Sequence, residues 1–200
     1  MSTYQSTTNP GIKARVANPL ISLIVPVFNE EQSVAMFMDA VVNKLAGLRL
    51  EIIFIDDGKE IWSHQGIMTS EEFYKALGEF KLGKSSEAYN VAFNEGTDRR
   101  FCEQYEIFKD TPEGVFVDKL SGRPLFDTAY RFDSKSGWLS FTQPVENEVY
   151  EKIDTSYGMI RTEIRSVSSD IHLGHVFNDG PNGLPRYCIN ATVLEFVPRG

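Results

Sequence analysis

The sequence predicts a mainly β fold of the α+β class: two antiparallel sheets in a curled sandwich or barrel-like domain, with short helices in front and a small β-α-β unit before them. Three observations predict it. After Gly96 the apolar residues alternate in short runs, GVFVDKL, RPLFD, GWLSF, EVYEKI, MIRTEIRSV, HLGHVF and RYCINATVLEFV, separated by turn residues. Alternation with period two is the mark of a half-buried strand. Just upstream, Thr69 with Glu72 has the spacing of a capping box, and Ser85 or Ser86 supplies a second helix start. Further upstream, the apolar runs at residues 19–26 and 50–55 flank a segment of helical periodicity.

Residues 1–18 are rich in Ser, Thr, Asn and Pro and read as a disordered N-terminus. PLISLIVP (19–26) is the continuous apolar run of a buried strand. Asn29 then caps a predicted helix whose apolar side is Val34, Phe37, Met38, Val41, Val42 and Leu45, with Gly47 at its end. The second strand, residues 50–55, leads into Asp56-Asp57-Gly58. These boundaries give a β-α-β unit at 19–60 and a main domain at 67–199. In the main domain the first helix places Phe73, Leu77 and Phe80 on one side, and the second runs through Tyr89, Val91 and Phe93 to a stop near Gly96. The run Asn-Asp-Gly-Pro-Asn-Gly (178–183) is turn chemistry, so HLGHVF and RYCIN are expected to fold back as neighbouring strands.

Composition bounds the function. Two hundred residues with 42% hydrophobic content are enough for one sizeable core. A net charge of -8 argues against nucleic acid or an anionic membrane as partner. Two cysteines, Cys102 and Cys188, allow one disulfide but no framework, which fits a reducing compartment. No apolar run reaches the ~20 residues of a membrane span, and the first residues have no secretory apolar segment. A cytoplasmic address is the expectation.

The chemistry concentrates in DIHLGHVFNDGPNGLPRYCIN, residues 170–190. Cysteine attacks only as the thiolate, a form that nearby imidazoles (His172, His175) or a guanidinium (Arg186) favour. The same residues also fit a buried free thiol beside two structural histidines and a solvated strand arginine. Cys188 and Asn190, two apart on a strand, return to one face. Trp138 in GWLSF reads as an ordinary core aromatic on these grounds alone.

HLGHVF followed by an Asp-Gly-Pro turn and RYCIN, together with GRPLFDTAYRFDS, GWLSF and YGMIRTEIR, resembles the methionine sulfoxide reductase B family, the methionine-R-sulfoxide reductases. MTSEEFYKAL and the stretch 87–114 extend the resemblance over residues 67–199. It implies reduction of methionine-R-sulfoxide, free or within an oxidised protein or peptide, by Cys188 through a sulfenic acid. His175 and His172 would supply the proton to the sulfoxide oxygen, Asn190 would share the pocket, and Trp138 would pack the substrate methyl. Arg186 would steady the thiolate. Many members resolve the sulfenic acid with a cysteine in GCGW; here the motif is KSGW, with Ser136 in that place. Cys102, in RRFCEQY, sits where another subset has a cysteine, so the resemblance implies a Cys102–Cys188 intermediate disulfide and a thioredoxin-like dithiol reductant. The family's zinc-binding cysteine pairs are replaced by Asp118, Ser121, Ser166 and Ser169, and serines are poor zinc ligands. No metal and no other cofactor is therefore expected. An inactive binder of oxidised-methionine peptides is the rival reading; it would need no Cys188 chemistry.

IVPVFNEE followed by IIFIDDG resembles the opening of a family 2 glycosyltransferase, and the resemblance stops near Gly58. In that family the acidic residues after the second strand contact a sugar nucleotide. About forty residues cannot cover both faces of a parallel sheet. Asp56 and Asp57 therefore read as a strand-end turn, and the unit as a remnant rather than a working glycosyltransferase.

Overall fold

The computed structural model describes residues 20–26, 49–56, 59–66 and 69–200. The first three segments form one sheet: β1 (Leu20–Pro26) pairs parallel with β2 (Arg49–Asp56), and β2 pairs antiparallel with β3 (Lys59–Gly66). The parallel pair is the expected one. Strand β3 is an addition to the predicted unit, since KEIWSHQG carries too few apolar residues to show alternation. The predicted helix beginning at Asn29 and the terminus 1–18 lie outside the described residues.

Helix α1 (Ser70–Gly78) starts as expected. The Thr69 N–H donates to Glu72 Oε2 at 2.9 Å, and the Glu72 N–H donates to Thr69 Oγ1 at 3.2 Å. These contacts satisfy donors that a helix start leaves open. Phe73 and Leu77 are fully buried. A π-helical turn (Glu79–Gly83) follows, and Ser86, not Ser85, caps α2 (Glu87–Asn94) by accepting from the Tyr89 N–H at 3.0 Å. Glu95, in a left-handed conformation, ends α2. A third helix, α3 (Glu103–Phe108), precedes the first of the alternating runs. It turns Tyr105 and Phe108 into the core.

The remaining strands form two antiparallel sheets. Strands β4 (Gly114–Asp118), β5 (Pro124–Asp127) and β11 (Leu194–Pro198) make a three-stranded sheet in the order β11-β4-β5. Strands β6 (Leu139–Phe141), β7 (Val149–Asp154), β8 (Arg161–Ser166), β9 (His172–Phe177) and β10 (Arg186–Ile189) make a five-stranded sheet in the order β6-β10-β9-β8-β7. The sheets remain open rather than closing into a barrel, which corrects the barrel-like alternative. β6 and β7 are edges of the larger sheet, and β7 is mostly exposed and carries Glu151 and Lys152, charges that discourage pairing with another chain.

Phe116, Leu125, Phe126, Phe141, Ile164, Leu173, Ile189, Val193 and Leu194 form one buried cluster with Phe73 and Leu77 of α1. Phe126 stacks on Phe141 at 4.8 Å between centroids, and Phe116 meets Phe141 edge-on at 5.6 Å. Each such side chain stabilises the fold by about 1.5–3 kcal/mol through removal from water. Among the described residues no helix is long and apolar enough to cross a membrane.

Candidate active site

The turn at 178–183 does what its residues demand. Asn182 and Gly183 take left-handed φ values of 55° and 77°, and Pro181–Gly183 forms one 3-10 turn. Strand β10 therefore folds back on β9 with Arg186 opposite Phe177, Tyr187 opposite Val176, Cys188 opposite His175 and Ile189 opposite Gly174. Directly opposed residues of an antiparallel pair share a face. The Cys188 and His175 side chains thus start from adjacent points of one surface.

His172 and His175 are three apart, and period-two geometry would send them to opposite faces. A bulge prevents this. Opposite β8, Gly174 pairs with Ile164 and His172 with Arg165, so Leu173 is the extra residue on β9. Gly174 serves this kink. Its φ is +155°, and a Cβ there would collide with the carbonyl oxygen of Cys188. The two imidazoles consequently meet edge to face, 5.3 Å between centroids.

They have different surroundings. His175 lines a small open pocket together with Cys188, Asn190, Trp138, Thr97, Arg161 and Phe177. Its Nε2 lies 2.8 Å from Asp154 Oδ2. His172 is almost completely buried behind it, with Nδ1 2.7 Å from Glu163 Oε1 and Nε2 enclosed without a hydrogen-bond partner. Of the two histidines, only His175 reaches the pocket; His172 stands behind it.

Two carboxylates fix the imidazoles. The Ser156 hydroxyl, working against burial, holds the Asp154 carboxyl far below the usual range, helped by the Ser156 N–H, His175 and Arg161. Arg161 Nη2 donates to Asp154 Oδ2 at 2.6 Å. Burial alone would raise the Glu163 carboxyl, but His172 and Arg165 overcome it and hold it at about 2. An ionised carboxylate only accepts, so His175 presents Nε2–H to Asp154 and His172 presents Nδ1–H to Glu163. Burial lowers the pKa of His175 below its ordinary value, only partly offset by Asp154.

Burial also pushes the Cys188 thiol up, while the Arg186 guanidinium and a hydrogen bond from the Ser136 hydroxyl pull it back. Arg186 is itself held in place. It makes two bonds to Asp179, at 2.8 and 2.9 Å, and its guanidinium carbon sits 4.5 Å from the Phe177 ring centroid. Ser136, where many family members have a cysteine, is thus beside the candidate nucleophile. Asn190 is pinned at both ends of its amide: Nδ2 donates to the Leu173 carbonyl at 3.0 Å, and Oδ1 accepts from the Asp98 N–H at 2.9 Å. Trp138 donates from its indole to the Asp98 carbonyl at 3.0 Å, and the Arg100 guanidinium lies 5.5 Å from its ring.

Cys102 is half-buried at the N-terminal cap of α3, outside the pocket, and its thiol contacts Asp98 Oδ2 at 3.8 Å. Both cysteines are free. Asp154, Arg161, Glu163 and Asp98 stand in no motif that singles them out in the sequence. Asp154 ends β7, and Arg161 and Glu163 lie on β8, where the only local signal is the run of alternating charges in RTEIR.

The positions that replace the family's zinc ligands close on one another. Asp118 Oδ1 accepts from the Leu120 and Ser121 N–H groups at 2.8 and 3.1 Å, and Oδ2 accepts from the Ser169 hydroxyl at 2.5 Å. Ser121 and Ser166 each hydrogen-bond to Ser168. A saturated carboxylate among hydroxyls does not fit a thiolate zinc site.

Two family models match the chain. The Glycosyl transferase family 2 model matches residues 22–65, a partial match over the β1-β2-β3 sheet. The SelR domain model matches residues 84–198, which include the whole pocket. That second match spans more than half of the chain, and the chain belongs to the SelR domain family, the peptide-methionine (R)-S-oxide reductases.

Proposed function

We propose that this chain reduces methionine-R-sulfoxide in oxidised proteins with Cys188 as the attacking group and His175 as the proton carrier. The observation that carries the reading is the Cys188–His175 cross-strand pair opening into a pocket that Trp138 and Asn190 also line. Attack on the sulfoxide sulfur needs the Cys188 proton removed, and loss of the oxygen needs a proton delivered. With Nε2–H bound to Asp154, the second ring nitrogen of His175 is the one free to take the thiol proton and pass it to the oxygen. Cys188 then carries the oxygen as a sulfenic acid and methionine leaves. Arg186 and Ser136 stabilise the thiolate, His172 backs the working imidazole, and Trp138 packs the methyl group. Cys102 resolves the sulfenic acid to a disulfide, which a thioredoxin-like dithiol reduces.

The test is turnover of R- and S-epimer methionine sulfoxide peptides with a dithiol reductant. The expected result is R-selective turnover, abolished in Cys188→Ser with peptide binding retained. Binding without any methionine formed by wild type would favour the inactive-binder reading instead.

A further inference from the structure

We propose that Asp98 is the proton acceptor for Cys102 when Cys102 attacks the Cys188 sulfenic acid; the proposal rests on the reading of Cys102 as the resolving thiol. Asp98 is 2% exposed, and the mechanism above leaves its carboxylate unused. Its Oδ2 is the hydrogen-bond acceptor of the Cys102 thiol. The same carboxylate is gripped by the segment that follows Cys188: Oδ2 accepts from the Ala191 and Thr192 N–H groups at 2.6 and 3.0 Å, and Oδ1 from the Thr192 hydroxyl at 2.6 Å. Through its main chain Asp98 also holds Asn190 and Trp138. One buried residue therefore joins the second thiol, the end of the nucleophile's strand and two walls of the pocket.

The chemistry requires such a group. Burial and the Asp98 charge keep Cys102 a thiol, so its proton must leave as the new bond forms. In the step, the Cys102 proton passes to Asp98 Oδ2 and the Cys102 sulfur pair forms the S–S bond. The S–O bond of the sulfenic acid breaks with its pair on oxygen, and that oxygen takes the proton from Asp98 to leave as water. The Cys102 sulfur is oxidised, the Cys188 sulfur is reduced, and the carboxylate is regenerated. Burial also raises the Asp98 pKa towards the range of a useful base, against the Thr192 and Ala191 bonds and with a further push from Glu87 at the start of α2. Glu87 bears on Cys102 in the same sense.

The test uses the full chain, one pulse of R-sulfoxide peptide and no reductant, with methionine and disulfide followed separately from pH 6 to 9 by quenched alkylation and mass spectrometry. In Asp98→Asn, disulfide formation is expected to slow at least about a hundredfold more than methionine formation, the low end of the range typical of a lost general base. Its rate should climb about tenfold per pH unit, as solvent rather than a carboxylate deprotonates Cys102; wild type should be nearly flat around neutrality. Asp98→Glu should restore the flat profile. Equal slowing of both steps, or slower disulfide formation with a wild-type pH profile, would mark Asp98 as structural and overturn the proposal. If Asp98→Asn does not fold, the wild-type profile decides: a climb of about tenfold per unit between pH 6 and 8 overturns it. Failure of the underlying reading looks different, with no disulfide in wild type and full turnover by Cys102→Ser.

Discussion

His175 Nε2 lies 2.8 Å from Asp154 Oδ2, and Arg161 holds that same oxygen at 2.6 Å. The three residues come from the three neighbouring strands β9, β7 and β8. Asp154 therefore settles which imidazole nitrogen of His175 is engaged and which one the proposed mechanism would use. Asp154→Asn is expected to lower kcat for the methionine-forming step by roughly ten- to a hundredfold, with a smaller effect on KM. Single-turnover kinetics check this; an unchanged kcat would remove Asp154 from the mechanism.

The pH profile follows from two shifts of opposite sign. His175 titrates below its ordinary 6.5 and Cys188 above its ordinary 9.0. In the proposed mechanism the pair carries one working proton between these limits. Below the lower one His175 is already protonated and cannot take the thiol proton; above the upper one that proton is gone. First-turnover kcat/KM should form a broad plateau through pH 7–8. An acidic limb above 6.5 or an alkaline limb below 9.0 would contradict the shifts. In Asp154→Asn the acidic limb should move lower still, because the imidazolium loses its anion.

Cys102→Ser should form one equivalent of methionine per chain and then stall with thioredoxin, while Cys188→Ser forms none. Mass spectrometry of the stalled protein should find a trappable sulfenic acid on Cys188. Sustained wild-type turnover by Cys102→Ser would discard the Cys102–Cys188 disulfide.

Gly174→Ala puts a methyl group against the Cys188 carbonyl at a positive φ that L residues avoid. A loss of about 1–3 kcal/mol is expected, together with a larger loss of activity because the bulge sets the Cys188–His175 register. Thermal unfolding measured beside turnover separates the two effects.

Asp118→Ala leaves the buried N–H groups of Leu120 and Ser121 and the Ser169 hydroxyl without their acceptor. Each lost partner costs about 1–3 kcal/mol, so a large drop in Tm is expected. A strong chelator should leave the wild-type Tm unchanged; a chelator-induced fall would show that metal, rather than this hydrogen-bond knot, staples the β4–β5 and β8–β9 turns.

Sequence by itself determined what local chemistry can encode. Thr69 with Glu72, and the serine pair Ser85-Ser86, set two helix starts, because a cap is satisfied within three residues. The 178–183 turn set the β9–β10 hairpin and with it the Cys188–His175 neighbourhood, because the turn residues dictate the return of the chain. The tertiary structure decided the rest. Alternation places His172 and His175 on opposite faces; the bulge at Leu173, matched against β8, reverses that. It also separated their positions, with His175 in the pocket and His172 behind it. Asp154, Glu163 and Arg161 gain meaning only when β7 and β8 lie beside β9. Asp98 meets Asn190 across 92 residues of chain. No periodicity carries such a contact, because it exists only once the two sheets and their helices have packed.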